Sequence, residues 1–360
     1  MMYDIVIVGA GPAGSTLARL IGSKYKVLLL DKRDLENENP KNMAQKCCGG
    51  LLAPDAQKMI ATLGLGIPKD ILVDPQLFAV RTIDLTNHLE RLYQRFYFNM
   101  DREKIDRWLV SILPAEVDKK FNAIFKNYTD IRGGYEIHYR ANGQERSVKT
   151  RVIVGADGAF SRIRRTIGHD TATSADVSIP EKYIAIQECY ESKDQMPYFT
   201  AIFDEEITDF YAWIIPKGAH IFVGAALRQG NKPREKYAIL KSKLNRQGFH
   251  FDHPLKKEGA YINRPRKASQ LWVGKDDIAL VGEAAGAISP SSAEGISYAL
   301  KSSLYLARSL EEGIDGFLGR YNQRMRDIRL NLSMKNLKSP AMYNRFLRQL
   351  AMKSGLQSIK

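Results

Sequence analysis

The sequence predicts an α/β fold, and three features of its N-terminal segment carry that prediction. An apolar run rich in β-branched residues at 3–8 is typical of a buried strand, and residues 15–23 have a helix-like composition. A second apolar run at residues 26–30 ends at Asp31. A glycine-rich loop joins the first strand to the helix, so the segments form a βαβ unit, the repeating element of parallel sheets.

The loop of this unit is Gly9-Ala10-Gly11-Pro12-Ala13-Gly14. Gly9 allows a tight turn, Gly11 lets a pyrophosphate approach the backbone, and Gly14 lets the helix pack closely. The diphosphate would lie at the helix N-terminus, where free N–H groups and the dipole favour an anion. Asp31 could accept both hydroxyls of a ribose. A glycine-rich turn alone occurs in many α/β proteins, but the complete unit with its acid predicts an adenine dinucleotide.

Composition bounds the class of protein. The 360 residues are 44% hydrophobic and 26% charged, which is typical of a globular chain with two domains or one large insertion. No apolar run is long enough to span a bilayer, and an N-terminal strand with an acid at position 4 is unlike a signal peptide. Three cysteines, two of them adjacent, do not form a disulfide framework. We therefore expect a cytoplasmic protein in a reducing compartment.

The net charge of +14 indicates a partner or an unusually basic surface. Residues 301–360 carry twelve Lys or Arg against four Asp or Glu. No nucleic-acid motif is visible, so we expect no nucleic-acid partner. A basic face on anionic lipid headgroups would suit an enzyme whose substrate dissolves in membrane. A solvated basic surface is the other interpretation.

The rest of the chain divides into segments with strand or helix periodicity. Residues 32–45 are polar, contain proline and lack periodicity, so we expect a loop there. Asn142-Gly143 predicts a hairpin turn between antiparallel strands. Strand patterns cover residues 77–85, 89–98, 121–150, 151–155, 181–227 and 278–281, and helix patterns cover residues 54–63, 102–113, 231–248, 293–310 and 313–360.

Two of the segments contain side chains suited to a cofactor. Cys48 is followed by Gly49 and Gly50, and two glycines after a thiol let the backbone press against a flat ligand. A buried cysteine before a turn is the alternative interpretation. Arg102 lies in the first turn of a helix, where the dipole disfavours a cation. A bound diphosphate would relieve this, whereas a solvent-exposed arginine would need no partner.

Small residues and aromatic residues mark three more segments. Asp157-Gly158 ends one predicted core strand, and 282–286 follow another. The helix that starts near Gly295 could direct its N–H groups at developing negative charge. In a strand, Tyr211, Trp213 and Ile215 share a face, which gives either an aromatic wall or an ordinary sheet core.

In this order the motifs resemble the flavoproteins of the p-hydroxybenzoate hydroxylase type and, within them, the geranylgeranyl reductase family. The resemblance covers roughly residues 1–310, and its specificity lies in the combination of motifs. It implies FAD as the cofactor. The first glycine loop would bind the ADP half of FAD, and Arg102 and Asp157-Gly158 would bind its middle part. Gly295 and Ile296 would lie beside the isoalloxazine ring. The implied cofactor-binding residues are Gly9, Gly11, Pro12, Ala13, Gly14, Asp31, Lys32, Cys48, Gly49, Arg102, Asp157, Gly158, Gly282, Glu283, Ala285, Gly286, Gly295 and Ile296.

Two segments resemble the reductases in particular, and the chain departs from the family pattern in two places. Cys48-Gly49-Gly50 resembles their CGG, and Tyr211-x-Trp213-x-x-Pro216 with Gly224 resembles the motif that lines their isoprenoid pocket. Ile215 replaces a Phe of that motif, and Glu283 replaces an Asp. The resemblance therefore implies that Tyr211, Trp213, Pro216 and Gly224 contact an apolar substrate.

The resemblance implies an architecture of three parts. A Rossmann-like FAD-binding domain comprises residues 1–76, 99–170 and 265–310. An inserted antiparallel-sheet substrate domain comprises residues 77–98 and 171–264. A helical C-terminal segment comprises residues 311–360.

The implied reaction is reduction of C=C bonds of an isoprenoid, with flavin hydride transfer coupled to protonation. Cys48 is the candidate that supplies or positions the proton, since a buried thiol keeps its proton at neutral pH. A bound water is the alternative proton source. A monooxygenase of an aromatic or polyketide-like molecule and a flavin electron-transfer protein are the alternatives. The sequence has only one βαβ dinucleotide unit, so it indicates no separate nicotinamide domain, and it has no cluster of metal ligands for an iron–sulfur cluster of its own. Electrons for the flavin would therefore come from transiently bound NAD(P)H or from a separate iron–sulfur protein. A peripheral contact with anionic membrane completes the expected partners.

Overall fold

The computed structural model describes residues 2–37, 47–169, 180–192 and 196–359, and the chain forms two compact units. Unit 1 comprises residues 1–45, 103–180 and 263–333, and unit 2 comprises residues 46–102, 181–262 and 334–360. Unit 1 has the predicted Rossmann-like α/β fold, and unit 2 is built on the inserted sheet. The predicted fold class is therefore confirmed. Part of the predicted loop at 32–45 lies outside the described residues.

Strands and helices are numbered along the chain. The strands are β1 (Met2–Val8), β2 (Val27–Leu30), β3 (Leu51–Leu52), β4 (Leu77–Asp84), β5 (Leu89–Asn99), β6 (Asp118–Lys120), β7 (Ala123–Ile131), β8 (Gly134–Ala141), β9 (Gln144–Gly155), β10 (Glu181–Glu191), β11 (Tyr198–Phe203), β12 (Ala212–Lys217), β13 (His220–Arg228), β14 (Lys256–Arg264), β15 (Gly274–Lys275) and β16 (Ile278–Leu280). The helices are α1 (Pro12–Ile21), α2 (Pro54–Thr62), α3 (Arg102–Ser111), α4 (Arg162–His169), α5 (Pro233–Arg246), α6 (Ile296–Glu311), α7 (Phe317–Arg324), α8 (Arg326–Lys338), α9 (Pro340–Tyr343) and α10 (Arg345–Ser354).

The sheet of unit 1 has the order β15-β16-β9-β1-β2-β6, and β8 joins β7 to β9 in an antiparallel ribbon. Strand β1 pairs in parallel with β2 and with β9, and β16 pairs in parallel with β9. Ile5 and Ile7 face the core that α1 and α6 cover, whereas Val6 and Val8 face the core on the ribbon side. Because both faces are buried, the central strands are apolar at consecutive positions rather than at alternate ones.

The sheet of unit 2 has the order β14-β10-β13-β12-β11-β4-β5-β3. Strands β10, β13, β12 and β11 pair in an antiparallel manner, as predicted, but β11 pairs with β4 in parallel. The sheet is therefore mainly antiparallel, with one parallel pair that the sequence analysis did not predict. A hairpin enforces antiparallel pairing, and no hairpin links β4 to β11, because residues 103–180 lie between them in sequence.

Several divisions of the chain differ from the predicted domains; residues 99–102, for example, were expected in the FAD-binding domain but lie in unit 2. Residues 47–76 were expected in the FAD-binding domain but lie in unit 2, because β3 pairs with β5 and Leu72 forms a bridge with Met100. Residues 311–360 were expected to form one helical segment, but the division falls at 333/334, within α8. The part beyond this division belongs to unit 2, where Arg91 of β5 donates a hydrogen bond to the Met352 carbonyl of α10 at 3.0 Å.

Candidate functional site

The first glycine loop of unit 1 combines two tightly packed glycines with an open one. A Cβ on Gly9, whose φ is +109°, would lie 2.4 Å from the Ala156 carbonyl oxygen, and a Cβ on Gly14 would lie 1.8 Å from the Gly9 oxygen. A Cβ on Gly11 would meet no atom within 4 Å. No side chain caps α1, which begins at Pro12. The uncapped N-terminus with open space at Gly11 fits a diphosphate.

A second small-residue loop, residues 282–286, packs against the first. A Cβ on Gly282 would lie 3.1 Å from the Ala13 Cβ, so only glycine allows this approach. Ser303 of α6 donates a hydrogen bond to the Ala13 carbonyl at 2.7 Å, and the Gly282 N–H donates to Ser302 Oγ at 2.9 Å. Helix α6 begins at Ile296, and its N-cap Gly295 offers no side-chain cap. Helices α1 and α6 of unit 1 thus both begin without a side-chain cap.

Asp31 is the centre of a buried ion-pair network. Its Oδ1 accepts hydrogen bonds from the N–H and the Nε of Arg33, and its Oδ2 accepts from Arg33 Nη2 and from the Ala10 N–H at 2.7 Å. Arg33 Nη1 also lies 2.7 Å from the buried Asp106 Oδ2. A carboxylate has about four acceptor positions, so protein donors already fill those of Asp31. Its predicted contact with both ribose hydroxyls stays a prediction, and it requires a donor to give way.

Asp157 and Arg164 support the loops from the other side. The Asp157 Oδ2 accepts from the Arg162 N–H at 2.7 Å and therefore caps α4, while Gly158 has a φ of +76°. Arg164 donates to the Ala284 carbonyl at 3.1 Å and to the Gln270 carbonyl at 2.9 Å. Burial lowers the pKa of Arg164 to about 10. Arg164 thus fixes the second loop through its backbone.

Glu283, the departure from the family pattern, also has a structural partner. Its Oε1 accepts a hydrogen bond from the Asn263 N–H at 3.0 Å. The Asn263 side chain donates to the Ala159 carbonyl at 3.2 Å, so Asn263 joins the turn after Gly158 to the loop of Glu283. The implied role of Glu283 in binding FAD stays a prediction.

In unit 2 the structure packs the Cys48-Gly49-Gly50 turn against strand β12. A Cβ on Gly49 would lie 2.4 Å from the Ile215 Cδ1, and Gly50 has a φ of +61°. Lys217 Nζ donates hydrogen bonds to the Gly50 carbonyl at 2.9 Å and to the Met100 carbonyl at 2.8 Å. The two segments that resemble the reductases are therefore neighbours in one unit.

Cys48 is half-buried, although the sequence analysis expected a buried thiol. The Gly50 N–H donates to its Sγ at 3.5 Å. Burial lowers the pKa of Lys217 to about 7, while the Cys48 thiol and the Asp101 carboxyl act in the opposite direction. The Cys48 thiol therefore lies within electrostatic range of an amine that can gain or lose its proton near neutral pH.

The rings of Tyr211 and Trp213 are neighbours in a well-packed region, and their role as a wall for substrate stays a prediction. The rings of Tyr211 and Trp213 have centroids 5.8 Å apart, and Trp213 is only 7% exposed. A Cβ on Gly224 would lie 2.5 Å from the Trp213 ring, so the indole lies directly against that glycine. The Trp213 Nε1–H donates to Gln187 Oε1 at 3.0 Å. These contacts hold the indole in one orientation.

The remaining predicted residues are placed as follows. Pro216 is buried in β12, and its carbonyl accepts from Asn99 Nδ2 at 2.8 Å. Arg102 is buried at the first residue of α3, not exposed to solvent, and Lys32 is exposed. Their roles toward FAD stay predictions. Six further residues with structural roles at the site were not predicted from the sequence: Arg33, Asp106, Lys217, Gln187, Asn99 and Asn263.

Comparison with known proteins identifies the class. The model of the FAD binding domain family matches residues 118–327, so the chain belongs to this family of FAD-binding proteins. FAD is its cofactor, and the open space at Gly11 before the uncapped α1 fits that group. The chain is 37% identical over 358 residues to Protein CbrA of Escherichia coli O6:H1 (strain CFT073), covering 99% of this chain and 94% of that protein. It is 38% identical to Protein CbrA of E. coli O9:H4 (strain HS), with the same coverage.

Solved structures share the fold at low sequence identity. A geranylgeranyl bacteriochlorophyll reductase-like protein from Thermoplasma acidophilum has a TM-score of 0.78 at 19% identity, covering 97% of this chain and 90% of that chain. PqsL from P. aeruginosa, a probable FAD-dependent monooxygenase, has a TM-score of 0.68 at 17% identity, covering 98% and 100%. The flavin-dependent halogenase CmlS has a TM-score of 0.70 at 16% identity, covering 93% and 63%. The protein is an FAD-dependent oxidoreductase, and at these identities the structures establish its fold alone.

Proposed function

We propose that the protein is an FAD-dependent reductase of C=C bonds in an isoprenoid, geranylgeranyl-type substrate. The observation that carries this proposal is the packing of the Cys48 turn on strand β12. Lys217 holds the Gly50 carbonyl at 2.9 Å, and Gly49 lies against Ile215. The reductase-like protein from T. acidophilum, with its TM-score of 0.78, supports the same assignment.

An isolated alkene has no carbonyl to accept electron density, so its reduction needs a proton on one carbon as a hydride is added to the other. Reduced FAD, when bound, supplies the hydride equivalent. The chain must then supply the proton and exclude water. Cys48 donates that proton in this proposal: its S–H bond breaks as the new C–H bond forms. The Lys217 ammonium, or solvent, returns a proton to the thiolate.

Tyr211 and Trp213 contact the apolar chain of the substrate in this proposal. Rigid aromatic side chains suit a flexible apolar ligand because they bury its surface and lose little conformational entropy themselves. The Trp213 indole is fixed by Gly224 and Gln187. Ile215 lies against Gly49, so the substitution of the family's Phe changes the packing of the proton-donating turn itself.

The second candidate is an FAD-dependent monooxygenase of an aromatic or polyketide-like molecule. The TM-scores of 0.68 and 0.70 with PqsL and CmlS favour it, since these flavoproteins share the fold. A flavin electron-transfer protein would have the same fold but give no small-molecule product. Oxygen uptake that depends on substrate and NAD(P)H would identify the monooxygenase. To identify the electron donor, the rate of reduction of the bound flavin would be compared between NAD(P)H and an iron–sulfur protein.

The test compares Cys48→Ala with the wild-type protein under anaerobic conditions, with chemically reduced flavin and a geranylgeranyl substrate. We expect reduction of the substrate by the wild type and a rate at least about tenfold lower in the variant, as for loss of a general acid. Cys189→Ala removes a half-buried thiol of β10 and serves as the matched control. Equal rates in all three proteins would exclude Cys48 as the proton donor.

A further inference from the structure

The C-terminal helix of unit 2 presents its apolar side chains to solvent. In α10, Phe346 is 70% exposed and Leu350 is 66% exposed, and Leu347 beside them is 45% exposed. Positions 346 and 350 are one helical turn apart, so they lie on the same face. We call Phe346, Leu347 and Leu350 the apolar face of α10.

The opposite side of α10 is attached to the unit by polar groups. Arg348 is 4% exposed, and its Nε lies 2.7 Å from Oδ2 of Asp84, which is fully buried. The Arg91 guanidinium donates to the Met352 carbonyl, and the Ile359 N–H donates to the Leu92 carbonyl at 2.7 Å. A buried ion pair between the helix and its sheet fixes the orientation of the helix. The apolar face therefore points outward as a consequence of specific contacts.

The C-terminal segment that contains this face is rich in exposed apolar side chains and in basic residues, of which Arg348 and Lys335 are paired with Asp84 and Asp55. Leu337 and Leu356, before and after α9 and α10, are 82% and 75% exposed. Residues 334–360 contain six Lys or Arg and no Asp or Glu. Lys353 is exposed and lies three positions after Leu350, so it borders the apolar face. Exposed apolar patches with a polar rim mark interaction surfaces.

We infer that the apolar face of α10, with the basic side chains around it, docks the protein on an anionic lipid bilayer. An interfacial helix of this type inserts apolar residues at the headgroup boundary while its basic residues contact anionic lipids. A second copy of the chain would bring the same exposed cations, among them Lys338, Arg345 and Lys353, against this surface, whereas an anionic bilayer supplies both the apolar phase and the opposite charge. Among the described residues no helix is long and apolar enough to cross a membrane, so the contact is peripheral. The inference stands independently of the proposed substrate.

The test measures sedimentation of the full-length, FAD-loaded protein with vesicles of phosphatidylcholine alone or mixed with phosphatidylglycerol. We expect binding to the mixed vesicles, weakening with salt. The double variant Phe346→Ser/Leu350→Ser should lower the partition coefficient about tenfold or more through lost apolar burial. Lys338→Glu and Lys353→Glu should each lower it about fivefold or more, since one basic residue near an anionic surface contributes about that factor.

Leu255→Ser is the matched control, because Leu255 is 56% exposed elsewhere in unit 2. It should bind vesicles as the wild type does. All variants should keep the thermal midpoint and the flavin content of the wild type, since the exchanged side chains are exposed. Three results would overturn the inference: a wild type that stays in the supernatant with both vesicle types, undiminished binding of the double variant, and a dimer in ultracentrifugation that the double variant abolishes without any vesicle binding.

Discussion

At the residue scale, the structure makes a specific statement about the protonation of the Lys217 amine. Its amine is buried with two backbone carbonyls as acceptors, and burial lowers its pKa from 10.5 to about 7. In the unfolded chain the amine keeps its proton up to about pH 10. Between pH 7 and pH 10 the unfolded chain thus binds a proton that the folded chain does not. Stability contributed at this position therefore rises with pH in that window.

The first prediction compares the wild type with Lys217→Met in urea unfolding at pH 7, 8 and 9. The free energy of unfolding of the wild type should rise relative to the variant by about 1 kcal/mol per pH unit. Titrations of other groups are common to both proteins and cancel in the difference. A difference that does not change with pH would show that the Lys217 amine stays charged when buried.

The second prediction concerns Gly224, whose Cα hydrogen faces the Trp213 ring. Gly224→Ala would place a methyl group 2.5 Å from the indole, so the ring must move and lose its hydrogen bond to Gln187. We expect a loss of about 1–3 kcal/mol from overpacking, together with a changed tryptophan fluorescence spectrum. Gly66→Ala adds a methyl group with no atom within 4 Å and should be close to neutral. An unchanged spectrum in Gly224→Ala would contradict the packing.

At the element scale, the glycines of the first loop have different roles: the fold requires Gly14, whereas the cofactor requires Gly11. The third prediction is that Gly11→Ala leaves the unfolding of the apoprotein unchanged, since its Cβ meets nothing within 4 Å, but weakens FAD binding. Gly14→Ala should lower apoprotein stability as well, because its Cβ would lie 1.8 Å from the Gly9 oxygen. Urea unfolding and flavin titration measure the two effects. If Gly11→Ala bound FAD with the affinity of the wild type, the diphosphate would not bind at this loop.

The link from strand β2 to helix α3 is the second feature at this scale. Arg33 follows β2 and pairs with Asp106 of α3 at 2.7 Å, and Asp106 is 1% exposed. The fourth prediction is that Asp106→Asn costs about 3 kcal/mol in unfolding free energy, since it leaves the buried guanidinium with one carboxylate fewer. Glu103→Gln on the same helix breaks the half-exposed pair with Arg107 and should cost at most about 1 kcal/mol. Equal costs would contradict the burial of the network.

At the scale of the whole molecule, local patterns carried most of what the sequence predicted. The βαβ unit, the strand patterns of β4 and β5 and the turn at Gly143 depend on neighbouring residues, and each is found in the structure. The parallel pairing of β11 with β4 joins strands distant in sequence, which no local pattern encodes. The basic C-terminal helices were predicted, but the outward apolar face of α10 follows from the ion pair of Arg348 with Asp84.

The candidate site divides in the same way. The glycines and the aromatic strand were predicted because their types and spacing repeat a known order of motifs. Lys217 was missed because a lysine beside Gly218 is typical of an exposed turn, and only the fold places its amine on the Gly50 carbonyl. Arg33 and Asp106 were missed because their positions are far apart in the sequence, so nothing local indicates that they meet.

The central claim is that this flavoprotein saturates C=C bonds with a proton from its own chain. The most direct measurement is mass spectrometry of the product formed anaerobically in D₂O from a geranylgeranyl substrate by the reduced, FAD-loaded protein. We expect a saturated product with two deuterium atoms per reduced bond, since the thiol hydrogen and the hydrogen on N5 of reduced flavin both exchange with D₂O, and formation of this product at least about tenfold slower in Cys48→Ala. An unchanged substrate under these conditions, together with an oxygenated product once oxygen and NAD(P)H are admitted, would contradict it.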